Sequence, residues 1–134
     1  MLVVVCTSFD FSGGEGLRLT GETIPSAQRG TLIYTRRDPL GVVACVTPWN
    51  FPIAIPAWKI APALVSGNTV VFKPASLTPL CATEVVQCFL DAGLPDGVLN
   101  LVLGSGEALS AALVDDERIR AISWQSFNQV PTVL

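Results

Sequence analysis

Hydrophobic residues along this chain fall into short blocks set apart by glycine, proline and asparagine. Val42-Val43-Ala44-Cys45-Val46 is an unalternating apolar run, the pattern of a strand buried on both faces. Pro48-Trp49-Asn50-Phe51-Pro52 closes that strand. A helix is predicted from about Ile53 to Ser66, kinked or shortened by Pro62 and stopped by Gly67-Asn68. The unit then repeats. Thr69-Val70-Val71-Phe72 reads as a second buried strand, Pro79 to Ala92 as a second helix stopped by Gly93, and Val98 to Leu103 as a third strand. Gly106 to Val114 reads as a third helix and Ile119 to Trp124 as a fourth, weaker strand. Upstream, Thr31 to Arg37 mixes β-branched and polar residues and suits a half-exposed strand. Met1 to Ser12 reads as an irregular opening, and Gly13-Gly14-Glu15-Gly16 as a loop or a helix end.

Strands alternating with helices over short connections predict an α/β fold, a partial Rossmann-like parallel sheet with flanking helices. Ligands in such sheets bind outside the carboxyl ends of the strands. The chain divides into residues 1–38, the opening and its strand, residues 39–124, the βαβαβαβ portion, and residues 125–134, a tail.

With 134 residues there is room for one domain. Only 14% of residues are charged, about half the usual share, so much of the surface is expected to be covered by more protein. The net charge of −3 gives no basis for binding nucleic acid. The absence of histidine removes the commonest general base and metal ligand. Cys6, Cys45, Cys81 and Cys88 form no CxxC pair or ligand-like cluster, so no metal site is expected. Their reading is as ordinary buried thiols in a reducing compartment, with Cys81 and Cys88 on one helix face. The uncharged stretch from Pro39 to Trp58 is long enough to cross a bilayer, but its prolines, Thr47 and Asn50 argue against a spanning helix. Met1 to Val5 has no basic region before it, so no membrane partner is expected and the location is read as cytoplasmic.

Two features bear on chemistry. Between Asp38 and Glu84 the only charged residues are Lys59 and Lys73. Lone lysines in so apolar a stretch either snorkel to water or hold an anionic or hydroxyl-rich partner. Lys73 ends the second strand, where a ligand crevice opens. Asn50 lies between Pro48 and Pro52, so its amide is presented on a nearly rigid turn. Such an amide either stabilises a developing oxyanion or caps the following helix. The dinucleotide fingerprint GxGxxG is absent after the first strand, and Gly104-Ser105-Gly106 is equally explained by a turn and a helix start.

Pro39-Leu40-Gly41-Val42-Val43, Thr47 to Pro52, Ala57 to Leu64, Gly67 to Pro74 and Ala92 to Asn100 together resemble the NAD(P)-dependent aldehyde dehydrogenases. The resemblance covers roughly residues 13–124, and Gly14 to Arg37 most resembles members that oxidise semialdehydes such as 2-oxoglutarate semialdehyde. It implies an oxidoreductase that converts an aldehyde to a carboxylic acid with NAD or NADP through a cysteine thioester. It further implies that Asn50 helps form the oxyanion hole and that Lys59 lies near a catalytic glutamate and supports its proton transfer. Val46, Thr47, Pro48 and Trp49 then line the cofactor, Lys73 contacts the adenosine ribose, Gly106 lies beside the adenine, and Trp124 matches an aromatic at a strand end. Ser76 stands where many NAD-preferring members carry glutamate, which leaves room for the 2′-phosphate of NADP. The strand Thr31 to Arg37 resembles the oligomerisation region of a homo-oligomeric family.

The resemblance fades at both ends. Met1 to Ser12 does not resemble the family's preceding helix, and Gln125 to Pro131 replaces its glycine-rich phosphate segment. No cysteine matches the nucleophile, and no residue matches the catalytic glutamate. The sequence is therefore read as a piece of a longer reading frame, inactive alone. A non-catalytic nucleotide-binding or subunit-docking module, or a product without function, are the alternative readings.

Overall fold

The computed structural model describes residues 2–126. The elements run α1 (Leu2–Gly16), β1 (Thr23–Ile24), β2 (Ile33–Tyr34), β3 (Val42–Val46), α2 (Ala54–Val65), β4 (Thr69–Lys73), α3 (Pro79–Asp91), β5 (Leu99–Leu101), α4 (Gly106–Val114) and β6 (Ile119–Trp124). From β3 onward each predicted strand and helix forms, within a residue or two at its ends. The third strand differs most, running over Leu99–Leu101 where Val98 to Leu103 was expected.

The four strands β5-β4-β3-β6 form one sheet in that order, and each pairing is parallel. The chain steps outward from β3 to β4 to β5, then returns to the far side of β3 to lay down β6. One core cluster joins Val43 and Cys45 of β3, Val70 and Phe72 of β4 and Leu99 of β5 to Ile60 of α2 and to Ala82 and Val86 of α3. Successive crossovers made in one direction with one hand place their helices on one face of a sheet, in keeping with this shared core. Phe72, Val70, Cys45 and Ile60 are fully buried, each apolar side chain contributing about 1.5–3 kcal/mol.

Pro62 does not shorten α2, which runs on to Val65. Pro62 and Trp58 are both exposed, so the carbonyl deprived of its usual donor faces solvent, where the loss costs least. The helix ends in a Schellman arrangement. The Gly67 amide donates to Leu64 at 2.9 Å and the Asn68 amide to Ala63 at 3.1 Å, with Gly67 at φ 80°, which an L side chain rarely adopts. Asn68 then does more than stop the helix. Its Oδ1 accepts from the Leu40 and Gly41 amides at 2.7 and 3.1 Å, and its Nδ2 donates to the Ala63 carbonyl at 3.1 Å. One buried side chain thus pins the start of β3 to the end of α2.

Three expectations are corrected. The opening is the helix α1, whereas an irregular segment was expected for Met1 to Ser12. Glycines at 13, 14 and 16 make its local helix preference weak, and the helix is held by packing. Val5 is buried against Ala54 and Ala57 of α2, with Phe9 beside them, and the Trp58 indole donates to Ser8 at 2.9 Å. A Cβ at Gly16 would lie 2.1 Å from Val65, so the glycine permits the close approach of the two helices. The strand expected over Thr31 to Arg37 forms only at Ile33–Tyr34, paired antiparallel with Thr23–Ile24. An exposed two-stranded ribbon has no core to extend its pairing. Among the cysteines only Cys45 is buried: Cys6 and Cys88 are exposed and Cys81 is partly covered. Cys81 and Cys88 do share one face, on an apolar groove of about 580 Å³ between α1 and α3.

Candidate functional site

The sheet order creates the site. β3 has β4 on one side and β6 on the other, so the carboxyl ends of the three strands lie side by side, and a crevice opens there. That crevice, about 210 Å³, is lined by Val46, Thr47, Pro48 and Trp49 after β3, by Lys73 and Ala75 at the end of β4, and by Trp124, Gln125 and Ser126 at the end of β6. The Gln125 amide donates to the Val46 carbonyl at 3.1 Å, and the Thr47 amide to the Lys73 carbonyl at 3.2 Å, so the ladder holds the rim together. Val46, Thr47, Pro48, Trp49, Lys73 and Trp124 are thus brought to one place. Ala75, Gln125 and Ser126 were not expected there. The end of β6 was expected to contribute only its aromatic, because the register that sets Val46 opposite Trp124 is a tertiary fact.

Lys73 is buried, 7% exposed, and its ammonium donates to the neighbouring Pro74 carbonyl at 3.1 Å. No carboxylate pairs with it among the described residues, and burial alone lowers its pKa. A cation held in a crevice with one backbone partner has donors to spare for hydroxyl groups or an anion.

Asn50, Ser76, Gly106 and Lys59 lie outside the lining of this crevice. Asn50 follows Trp49, and its Oδ1 is buried without a hydrogen-bond partner. An orphaned amide oxygen costs about 1–3 kcal/mol, so the residue is a poor choice for stability alone. The capping alternative fails, because the residue before α2 is Ile53 and no side chain caps that helix. The Ser76 hydroxyl donates to the Gly104 carbonyl at 3.1 Å. Gly106 opens α4, capped by Ser105, whose hydroxyl accepts from the Ala108 amide at 3.2 Å. Its exposed position leaves open space where a Cβ would stand. That is compatible with a flat ring laid against the backbone.

Lys59 reaches from α2 to β6, where its ammonium donates to Ser123 Oγ at 3.0 Å. Burial lowers its pKa, opposed by the neighbouring Cys45 thiol. Cys45 is itself pushed up to about 11 by burial, with Lys59 pulling the other way. Such a thiol is inert at neutral pH.

A nicotinamide dinucleotide fits this donor set in part. Whole-ligand pockets run to about 300–1,000 Å³, so a crevice of about 210 Å³ takes one portion of such a molecule. Lys73 would hold ribose hydroxyls, and the Trp49 and Trp124 rings give apolar walls.

The family model described as "Aldehyde dehydrogenase family" matches residues 2–130, and so extends at both ends beyond the motifs between residues 13 and 124. The match at 2–16 agrees with α1. At the other end, residues 127–134 lie outside the described residues. The chain is 48% identical over 124 residues to the alpha-ketoglutaric semialdehyde dehydrogenase of Bacillus subtilis (strain 168), covering 92% of this chain and 25% of that protein. It is 48% identical over 120 residues to the 2,5-dioxopentanoate dehydrogenase of Saccharolobus solfataricus, covering 90% of this chain and 25% of that protein. Among solved structures, PnpE in complex with nicotinamide adenine dinucleotide superposes with a TM-score of 0.85 at 39% identity, over 89% of this chain and 24% of that one. A 3,6-anhydro-L-galactose dehydrogenase in complex with NADP superposes with a TM-score of 0.82 at 36% identity, over 89% of this chain and 25% of that one. The chain spans about a quarter of the length of the curated relatives it matches.

Proposed function

From the premise that the chain belongs to the aldehyde dehydrogenase family, we propose that it forms the ribose-binding and oxyanion-side portion of an enzyme that oxidises an aldehyde to a carboxylic acid. The preferred substrate is the semialdehyde of a dicarboxylic acid, such as 2-oxoglutarate semialdehyde, a reading supported by the names of the similar proteins from Bacillus and Saccharolobus. NAD(P)⁺ supplies the hydride acceptor when bound. The observation that carries the reading is the crevice at the carboxyl ends of β3, β4 and β6 with Lys73 buried in it.

In this reading Lys73 donates to the ribose hydroxyls, and the backbone from Val46 to Trp49 with Trp124 walls the cofactor. Gly106 gives the adenine a flat approach. The Asn50 amide, its oxygen turned inward, presents Nδ2 to the oxygen of the aldehyde as negative charge develops there. Lys59 supports proton transfer beside the site. Neither the nucleophilic cysteine nor the glutamate of this chemistry has a counterpart among the residues described, and Cys45, buried and held protonated, is no substitute. The chain by itself is therefore expected to bind nucleotide weakly and turn nothing over.

Saturation-transfer NMR on the 134-residue chain with NAD⁺ and NADP⁺ tests this. Ribose and adenine protons should receive saturation, and Lys73→Met should abolish it. A nucleotide signal absent from the parent chain, or unchanged by Lys73→Met, sinks the reading. Aldehyde-dependent NAD(P)H formation should be undetectable.

One observation favours a docking role beside it. The β1–β2 ribbon and its flank expose Ile24, Leu32, Ile33 and Tyr34, at 41, 74, 39 and 63%. Such an apolar strip on an otherwise thin ribbon suits contact with another subunit. Co-elution of the chain with a full-length relative, lost on Leu32→Asp with Tyr34→Asp, is the expected result.

A further inference from the structure

The Lys59–Ser123 contact joins residues from α2 and β6, across the width of β3. In β6, Ala121 packs against the core shared with α2, and Ser123, two residues on, points the same way and is partly buried, while Ile122 and Trp124 are exposed. Ser123 is the polar member of the inward set. It stands opposite Cys45 in the β3–β6 register, one residue before Trp124, as Cys45 stands one residue before Val46. The contact therefore lies about 3.3 Å along the strands from the crevice rim. Lys59 is the one charged side chain of α2. Without a fixed partner, a long lysine on that helix snorkels to solvent.

We infer that Ser123 is a positioning residue, whose hydroxyl holds the Lys59 ammonium beneath the rim of the crevice and keeps it charged there. The hydroxyl oxygen accepts a charge-assisted hydrogen bond, which favours the protonated amine. Burial works against that charge, so the acceptor decides how much of it survives. Cys45 on β3 is the other titratable group interacting with Lys59 among the described residues, and it stays protonated at neutral pH. No carboxylate shares the task among the described residues. The role Lys59 then plays in proton transfer rests on the function proposed above; its tether to Ser123 does not.

The experiment is a pH titration of the Lys59 ammonium by heteronuclear NMR on the 134-residue chain, with Lys59→Arg used to assign the signal. Ser123→Ala should raise the acid dissociation constant of Lys59 roughly tenfold, the worth of one hydrogen bond to a charged group. Ser123→Val should do the same, and valine suits a strand, so the result survives if the alanine variant folds poorly. Ser123→Thr, which restores the hydroxyl, should bring the titration back. A Lys59 titration unmoved by Val, or moved as far by Thr as by Val, overturns the inference. Either outcome leaves the nucleotide-binding result of Lys73→Met untouched, so the two readings fail separately.

Discussion

The hydroxyl of Ser76 donates to the carbonyl oxygen of Gly104 at 3.1 Å, tying the segment after β4 to the loop after β5. In the function proposed above, Ser76 is a neutral, compact side chain on the ribose side of the cofactor. A carboxylate at the same position would repel a 2′-phosphate and would lose the bond to Gly104, since it has no proton to donate. Ser76→Glu is therefore expected to weaken NADP⁺ binding roughly tenfold or more while changing NAD⁺ binding far less. Titration calorimetry with both nucleotides measures the ratio. Equal weakening of the two would remove the selectivity role.

Asn68 is expected to be worth more to stability than any other polar residue in the described chain. Asn68→Ala leaves the Leu40 and Gly41 amides and the Ala63 carbonyl without their partner. The cost should be about 2–3 kcal/mol in urea unfolding. A loss below about 0.5 kcal/mol would mean that water replaces the side chain fully.

Gly16 and Val65 should couple. Gly16→Ala puts a methyl 2.1 Å from Val65 Cγ2, and the clash should cost about 1–3 kcal/mol. The better helix propensity of alanine offsets about 1 kcal/mol of that. In the Gly16→Ala, Val65→Ala double variant the clash is gone, so the double-mutant cycle should show an interaction energy of about 1 kcal/mol or more. Additive effects would place the α1–α2 contact elsewhere.

Cys45 should be silent to alkylating reagents near neutral pH while Cys6 and Cys88 react, as mass spectrometry of the native chain would show. Its pH linkage has a definite sign. Burial raises the thiol from 9.0 to about 11, so between those values the unfolded chain has released a proton that the folded chain still holds. Stability contributed by this group thus falls as pH rises from about 9 to 11. Lys59 and Lys73, both lowered by burial, act in the opposite sense, gaining stability as pH approaches 10.5. Comparing the parent with Cys45→Ala across that range isolates the cysteine: the variant should lose the falling component and keep the rising one.

The strands and helices from Val42 onward were legible in the sequence because their apolar runs and glycine stops are local signals. Val42–Val46 and Thr69–Lys73 can hardly be anything but buried strands, and Gly67 and Gly93 end helices by their own geometry. The motifs around Asn50 and Lys73 were legible for the same reason, and with them the family. What the pattern could not express is which strand lies beside which. The return of β6 to the far side of β3 brings Gln125 and Ser126 to the crevice and Ser123 to Lys59, and it depends on the packing of the whole sheet. The helix α1 was hidden likewise, since its glycine-rich sequence has little preference of its own and is held by Ala54 and Ala57. Burial of the cysteines followed the same rule. A hydrophobic period says which residues share a face, as Cys81 and Cys88 do, but only the neighbouring elements decide whether that face is covered.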